Sequence, residues 1–345
     1  MNHASADATI DPAPALSPAP DESRPFNPRV WIVTNGNQGS DAQAEGLVQA
    51  LGVTDVELTA VKLGGLYKLL APNGPVPLGH VGQEGKLFAP PWPDMVISVG
   101  RQAVPYAQKI KRRAKGQTFA VALQNPRTKL EKWDFIWAPE HDRLQGPNVF
   151  TTLTSPHRVT AKNTAAAAAA MQAEIAAMPH PRVAVLIGGP NGAYRFSPRL
   201  ARELTDALEA LAPNGSFLIT TSRRTPESVA WTVKQWMGTK PARLWMGGAA
   251  NPYLAFLGVA DAVVVTADSV NMAGEAASTG KPVYVLDLPG RAPKYRKFHR
   301  ALEATGATRP LDGRPFEAWD YEPVDPNTAI AQAVKRAYLA WAAAR

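Results

Sequence analysis

The chain has 345 residues, of which 45% are hydrophobic and 19% charged, and its formal net charge is +8. This length exceeds what one hydrophobic core usually serves, so we expect two domains. The lack of cysteine excludes disulfides, thiolate catalysis and cysteine-bound metals, and no apolar run is long enough to cross a bilayer. The basic excess indicates an acidic partner, which could be nucleic acid, a phosphorylated ligand or an anionic membrane.

Residues 1–28 are rich in proline, alanine and acidic side chains, and they lack the basic start and apolar stretch of a signal peptide. This composition predicts a disordered tail and a cytoplasmic protein.

Residues 29–159 form the first predicted domain, in which buried strands alternate with helices. The strands are predicted at Val30–Thr34, 56–58, Met95–Val99, Phe119–Leu123, 135–137 and 149–153. The helix after the third strand ends in five basic residues, Lys109, Lys111, Arg112, Arg113 and Lys115. These cations either form a solvated helix end or dock on anionic lipid headgroups at the inner membrane face.

Two strand ends of the first domain carry candidate catalytic residues. Asp41 lies in a glycine-containing loop after the first strand, and Glu140, His141 and Asp142 follow the strand at 135–137. Carboxylates can tune a histidine near its working pH, so these residues predict an acid or base site. The alternative is that His141 and Asp142 merely pair with each other or cap a turn.

A helix at 160–180 connects to a second predicted domain at 181–322, and residues 323–345 form a C-terminal helix. The strands of the second domain are predicted at 183–187, 217–220, 243–245, 263–266 and 283–286. Strands that alternate with helices in two successive sets predict an α/β fold with two Rossmann-like domains facing a cleft.

Three strand ends of the second domain have residues suited to binding phosphate. They are a loop with Gly188, Gly189, Asn191 and Gly192, the pair Arg223 and Arg224, and a helix start at Asp268, Ser269 and Val270. Glycine loops and helix N-termini present N–H groups to anions, and arginines bind phosphate in bidentate fashion. Strand-to-helix turns also need glycine, so the loop alone is a weak signal.

Other ligand classes are less well supported. The chain has no P-loop, zincin or serine-hydrolase motif. Its basic residues are not interleaved with aromatic ones, so we do not expect nucleic acid as a partner.

Several segments resemble the mitochondrial-fission "elongated mitochondria" family, whose bacterial members are regarded as glycosyltransferases. The matching segments are GGPNGAYRFS, SRRTPESV, VTADSVNM, QNPR and PEHD, and the resemblance extends from Val30 to about Gly313. It implies a fold of the GT-B type. Plant relatives are implicated in recruiting a dynamin-related protein, so a non-enzymatic adaptor is an alternative function.

A more distant likeness is to the glycosyltransferases of lipid-linked peptidoglycan synthesis. Gly188, Gly189, Gly192 and Ala193 match their GGxxGA loop, and Glu275, Gly280 and Pro282 match the spacing of a helix motif. The likeness implies that Glu275 accepts hydrogen bonds from a ribose and that Ser269 and Val270 face the diphosphate. This chain departs from the pattern at Met272, where a threonine is expected.

Asp268 is a further departure, since it places a carboxylate where a diphosphate is expected. Arg223, Arg224 and Lys281 are expected to compensate for its charge, or Asp268 caps its helix.

We therefore expect a sugar transferase that uses a nucleotide-sugar donor, with no metal and no other cofactor. The sequence leaves the acceptor open; a lipid-linked acceptor is one candidate, and transfer is expected at the cytoplasmic face of a membrane. Asp41, Glu140, His141 or Asp142 is the expected base, and His141 and Asp142 are favoured by their place at a strand end. Nucleotide-sugar epimerisation is a second alternative, because epimerases also use GT-B folds.

Overall fold

The computed structural model describes residues 26–82, 86–248, 250–290 and 292–345. Most of the predicted N-terminal tail, residues 1–25, lies outside the described residues.

The first domain contains a six-stranded parallel sheet in the order β2-β1-β3-β4-β5-β6. Its strands are β1 (Val30–Thr34), β2 (Val56–Ala60), β3 (Met95–Val99), β4 (Phe119–Leu123), β5 (Phe135–Pro139) and β6 (Val149–Thr152). Its helices are α1 (Gln38–Leu51), α2 (Gly65–Leu70) and α3 (Val104–Arg113), and short 3₁₀ turns lie at Leu130–Lys132 and Glu140–Asp142. The central strands are buried along their whole length, as expected when helices cover both faces.

The second domain contains another six-stranded parallel sheet, in the order β12-β11-β10-β7-β8-β9. Its strands are β7 (Arg182–Ile187), β8 (Ser216–Thr221), β9 (Ala242–Trp245), β10 (Ala262–Thr266), β11 (Val283–Leu286) and β12 (Thr308–Pro310). Its helices are α5 (Pro198–Leu211), α6 (Glu227–Met237), α7 (Tyr253–Val259), α8 (Val270–Ala277) and α9 (Pro293–Ala304). The predicted pair of Rossmann-like domains is therefore confirmed.

Two further helices join the domains. Helix α4 (Ala161–Ile175) packs on α7 of the second domain, and α10 (Pro326–Ala343) returns to pack on α1 of the first. Ile330 and Val334 of α10 are fully buried in the core of the first domain. Near the crossing, the side chain of Asn327 accepts from the N–H of His157 and donates to its carbonyl, at 2.9 and 2.7 Å.

The carboxyl ends of the two sheets meet across a cleft. Strand order reverses between β1 and β3 in the first sheet and between β7 and β10 in the second, and ligands bind at such switch points. A Cβ at Gly39, in the first turn of α1, would lie 3.5 Å from the Asn271 side chain at the start of α8. The Ser155 hydroxyl also lies 3.2 Å from Asn271 Oδ1. The two helix starts therefore face each other.

The structure shifts some boundaries of the sequence prediction and adds three elements. Helix α1 begins at Gln38, so Asp41 lies in its first turn rather than in a loop. Helices α2 and α9 and strand β12 were not predicted. Helix α2 is six residues between glycines and a proline-rich loop, and β12 is only three residues long. Among the described residues, no helix combines the length and apolar character needed to span a membrane.

Candidate functional site

The N-terminus of α8 lies at the switch point of the second sheet. Ser269 is its N-cap, with Oγ accepting a 3.3 Å hydrogen bond from the N–H of Met272. Within the described chain, the N–H groups of Val270 and Asn271 have no hydrogen-bond partner. Two open donors and the positive end of the helix dipole therefore face the cleft, which is an arrangement suited to an anion.

Asp268 does not cap this helix, contrary to one expectation from the sequence. Its side chain is turned into the protein, where Oδ1 accepts from Thr266 Oγ1 at 2.7 Å. Oδ2 accepts from the N–H of Gly189 at 2.9 Å and from Arg224 Nη2 at 3.3 Å. Burial raises the pKa of Asp268, while these donors partly oppose that rise. The carboxylate thus holds the glycine loop and Arg224 in place.

The glycine loop after β7 is held by hydrogen bonds at Gly188 and Gly189, two of the positions expected to cradle phosphate. The N–H of Gly188 donates to Thr266 Oγ1 at 2.8 Å, and that of Gly189 is held by Asp268. A Cβ at Gly188 would overlap the Asp268 carboxylate, and one at Gly189 would overlap the backbone of Arg224. These two glycines are needed for close packing, and their N–H groups are not open to a ligand.

The rest of this loop is also fixed from within. Asn191 Oδ1 accepts from the N–H groups of Ala193 and Tyr194, at 2.8 and 3.0 Å. Gly192 is different, because it is exposed and a Cβ there would meet open space.

The two adjacent arginines have different environments. Arg224 donates to the carbonyls of Gly189 and Pro190, at 2.9 and 3.0 Å, in addition to its contact with Asp268. Arg223 is exposed and makes no ion pair or hydrogen bond through its side chain to any described residue. It lines a cavity of about 630 Å³ together with Trp231 and Met246. Arg223 is therefore the arginine of the pair that is open to a ligand.

Glu275 lies on the second turn of α8 and accepts a hydrogen bond from the hydroxyl of Tyr253, at the start of α7. Desolvation raises the pKa of Glu275 to about 7, although the Tyr253 hydrogen bond opposes this rise. Tyr253 lies in the segment NPYLAFLGVA and was not selected from the sequence. Its role depends on a contact between two helices that are separated along the chain.

Lys281 is not brought into the cluster. It precedes β11, at the opposite end of the sheet from Asp268. Its Nζ donates to the carbonyls of Leu257 and Gly258, at 2.6 and 2.7 Å. The expectation that Lys281 compensates a diphosphate is corrected, because a strand of β11's length separates it from the cleft.

Asp41 lies on the first-domain side of the cleft, two residues after Gly39. Its Oδ1 is buried and has no hydrogen-bond partner among the described residues. A carboxylate oxygen on this side of the cleft that accepts no hydrogen bond from the described chain makes Asp41 a candidate for taking a proton from a bound hydroxyl.

The other three base candidates have different environments. Glu140 is exposed, and Asp142 pairs with Lys294 of α9 across the domain interface. The ring of His141 packs edge-on against Phe298 at 5.8 Å, and its Nε2 lies 3.9 Å from Asp142 Oδ1. Burial, and then Lys294, lowers the pKa of His141. His141 and Asp142 therefore take part in interdomain contacts.

A second cavity, of about 480 Å³, lies at the carboxyl ends of β3 and β4. Its lining includes Arg101, Gln124, Arg127, Asp142 and Lys294. Lys294 is not among the predicted site residues, because its contact with Asp142 depends on how the domains meet. The described residues contain no group of three or more histidine, aspartate or glutamate side chains placed to hold a metal.

The basic end of α3 lies away from this cavity. Lys111 pairs with Asp134 at 2.6 Å, while Val104, at the other end of the same helix, lines the cavity. The lysine and arginine cluster, interpreted either as a solvated helix end or as a lipid-docking patch, is therefore at the opposite end of the first sheet's strands from the cavity.

Comparison with known proteins identifies the family. A sequence model described as "Mitochondrial fission ELM1" matches residues 38–338. The chain belongs to the mitochondrial fission ELM1 family. It is 29% identical to the mitochondrial fission protein ELM1 of Arabidopsis thaliana, over 89% of this chain and 90% of that protein. It is 25% identical to an uncharacterized protein of Rickettsia prowazekii (strain Madrid E), over 89% of this chain and 97% of the relative.

The fold is shared with nucleotide-sugar enzymes. A UDP-GlcNAc 2-epimerase from Neisseria meningitidis, bound to UDP-GlcNAc, superposes with a TM-score of 0.50 and 13% identity, covering 82% of this chain and 88% of that one. This likeness establishes the GT-B type of fold and nothing about activity.

Proposed function

We propose that this ELM1-family protein transfers a glycosyl group from a nucleotide-sugar donor to an acceptor hydroxyl in the interdomain cleft. The observation that carries the proposal is the open start of α8, with the unpartnered N–H groups of Val270 and Asn271 at the switch point of the second sheet. The same fold is bound to UDP-GlcNAc in the N. meningitidis epimerase, which supports a nucleotide sugar as the ligand class.

The donor side is assigned from charge and position. The diphosphate accepts hydrogen bonds from Val270 and Asn271, and the unpaired Arg223 adds a cation at the neighbouring strand end. Asp268 does not repel the diphosphate strongly, because its carboxylate is turned inward and paired with Arg224. Glu275 accepts hydrogen bonds from the ribose hydroxyls in the place that Tyr253 now occupies.

The transfer step needs one base and one group that stabilises the leaving diphosphate. The acceptor oxygen attacks the anomeric carbon, and its proton passes to the Asp41 carboxylate. The bond from the anomeric carbon to the diphosphate oxygen breaks, and its electron pair leaves with the diphosphate. The helix start and Arg223 stabilise that charge, so the step needs no metal.

Calorimetry with uridine, guanosine, cytidine and adenosine diphosphates tests the donor site. We expect one of these to bind, and Glu275→Gln to weaken its binding by about tenfold, because a hydrogen bond to a charged group is lost. Glu174→Gln is the matched control, since Glu174 is exposed on α4. A folded protein that binds none of the four would sink the proposal.

Two further readouts separate the alternatives. An epimerase converts the donor sugar without an acceptor, so incubation with the donor alone distinguishes it from a transferase. An adaptor keeps its cellular function in Glu275→Gln, whereas a transferase loses it.

A further inference from the structure

The first domain has an exposed apolar face on helix α2. Leu66, Leu69 and Leu70 are spaced i, i+3 and i+4 on one side of the helix, and they are 66%, 73% and 44% exposed. Leu78, in the loop that follows, is 93% exposed. Six of the eight exposed large hydrophobic side chains of the described chain lie between residues 58 and 87. A concentration of this kind marks a contact surface. We call Leu66, Leu69 and Leu70 the leucine face.

The charge around the leucine face selects its partner. Residues 58–82 contain no aspartate or glutamate, whereas Lys62 and Lys68 are present and exposed. Apolar side chains interspersed with lysine, in a stretch that has no acidic residue of its own, are typical of a segment that lies at the surface of an anionic membrane. An interface with a second protein chain has no need for this one-sided charge.

Arg101 connects the leucine face to the 480 Å³ cavity. Its Nη2 donates to the carbonyl of Leu69 at 2.8 Å and its Nε to that of Ala71, so the end of α2 is tied to a residue that lines the cavity. Arg127 and Lys294 also line this cavity. The Arg127 side chain has no partner among the described residues, and Lys294 is paired with Asp142.

The loop that carries Arg127 is fixed in an uncommon conformation. Gln124 and Arg127 both have positive φ, at 77° and 54°. Side chains rarely adopt this region, and such strain occurs preferentially at binding sites. Gln124 Nε2 donates to Gln43 Oε1 of α1 at 2.8 Å, which links the loop to the helix that carries Asp41.

We propose that the leucine face enters a membrane and that the cavity takes the phosphate headgroup of a lipid from it. Arg101, Arg127 and Lys294 bind the phosphate, and the lipid tail leaves along the leucine face. The acceptor for glycosyl transfer is then a phosphate-bearing lipid. This last assignment rests on the proposed transferase function, whereas the membrane contact does not.

Flotation of the full chain tests the proposal, with vesicles of phosphatidylcholine alone or mixed with phosphatidylglycerol. We expect binding to the mixed vesicles, and a loss on the order of tenfold for each leucine removed in Leu66→Gln/Leu69→Gln. Arg127→Gln should weaken binding about fivefold, on mixed vesicles only. The matched controls are Trp231→Gln, on an exposed side chain of the second domain, and Arg112→Gln/Arg113→Gln at the far end of α3; both should bind as the unchanged protein does.

Three results would overturn the proposal. One is that the unchanged chain does not float, and another is that the arginine pair of α3, rather than the leucines, controls binding. The third is a dimer without vesicles that Leu66→Gln/Leu69→Gln abolishes, which assigns the face to a second copy. The leucine variant should still bind nucleoside diphosphate in calorimetry. Loss of nucleotide binding in the unchanged chain, with flotation intact, removes the transferase and keeps the lipid contact.

Discussion

The two sides of the cleft differ in how their polar groups are satisfied. On the second-domain side, Gly188, Gly189, Arg224 and Asp268 are all hydrogen-bonded to one another or to Thr266. On the first-domain side, Asp41 Oδ1 and the ring Nδ1 of His141 are buried without partners among the described residues, and the Arg127 side chain is also unpaired. The loop around Asp268 is therefore held by its own hydrogen bonds before any ligand binds, and only Val270, Asn271 and Arg223 beside it are left for a ligand, whereas the first-domain groups named here have no partner within the described chain.

Asp41→Asn should have the largest effect on turnover, and it tests the first-domain side of the cleft. The amide keeps the shape of the carboxylate but cannot take the acceptor's proton, so turnover should fall by about 10²- to 10⁴-fold. Stability should change little, because Oδ1 accepts no hydrogen bond from the described chain. The measurement is the rate of sugar transfer with the donor that calorimetry identifies.

Asp142→Asn is the control for this experiment, since Asp142 is held by Lys294 rather than left open. If Asp142→Asn or His141→Gln reduces turnover as strongly as Asp41→Asn, the base is the one that the sequence favoured.

Gly188→Ala tests the hydrogen-bonded glycine loop on the second-domain side. Its new Cβ overlaps the Asp268 carboxylate, and overpacking of this kind should lower the free energy of unfolding by about 3 kcal/mol. Gly192→Ala adds the same methyl group in the same loop but into open space, so its cost should stay within about 0.5 kcal/mol. Urea denaturation of both variants gives the comparison. Equal costs at the two positions would show that the loop is not organised by Asp268.

The strands could be predicted from the sequence because their signal is local. A β-branched run between turn residues placed β10 at 263–266, and the observed strand is Ala262–Thr266. The hydrogen bonds that hold the glycine loop could not be predicted in this way. The hydrogen bond from Gly188 to Thr266 joins residues 78 apart, and only the adjacency of β7 and β10 brings them together.

The difference between local patterns and contacts of distant residues also explains why Lys281 and Asp268 do not have the roles expected from the sequence. Lys281 follows the motif helix closely in sequence, but a helix followed by a strand returns the chain to the far end of the sheet. Asp268 precedes a helix and so has the pattern of a cap, yet Ser269, one residue later, is the cap. The choice between neighbouring cap candidates depends on the buried partners of Asp268, which the local sequence does not contain.

Glu275→Gln should have the smallest effect of these substitutions. Glu275 belongs to the donor side of the cleft, and its burial disfavours the charged form of the carboxylate. Its pKa in the folded protein is about 7, against an ordinary value of 4.5. The folded state therefore binds this proton more tightly than the unfolded chain does. The resulting stability is fully present below about pH 4.5 and is lost as the pH rises through 7.

Glu275→Gln is neutral throughout and lacks this dependence. Between pH 5 and 8, the stability of the unchanged protein relative to Glu275→Gln should fall by roughly 2 kcal/mol, as measured by urea denaturation across the pH series. A saturating nucleoside diphosphate should flatten this difference, because ribose hydroxyls that donate to the carboxylate favour its charged form. If the stability difference depends on pH in the same way with and without bound nucleotide, the ribose does not contact Glu275. The diphosphate could then still bind at the start of α8.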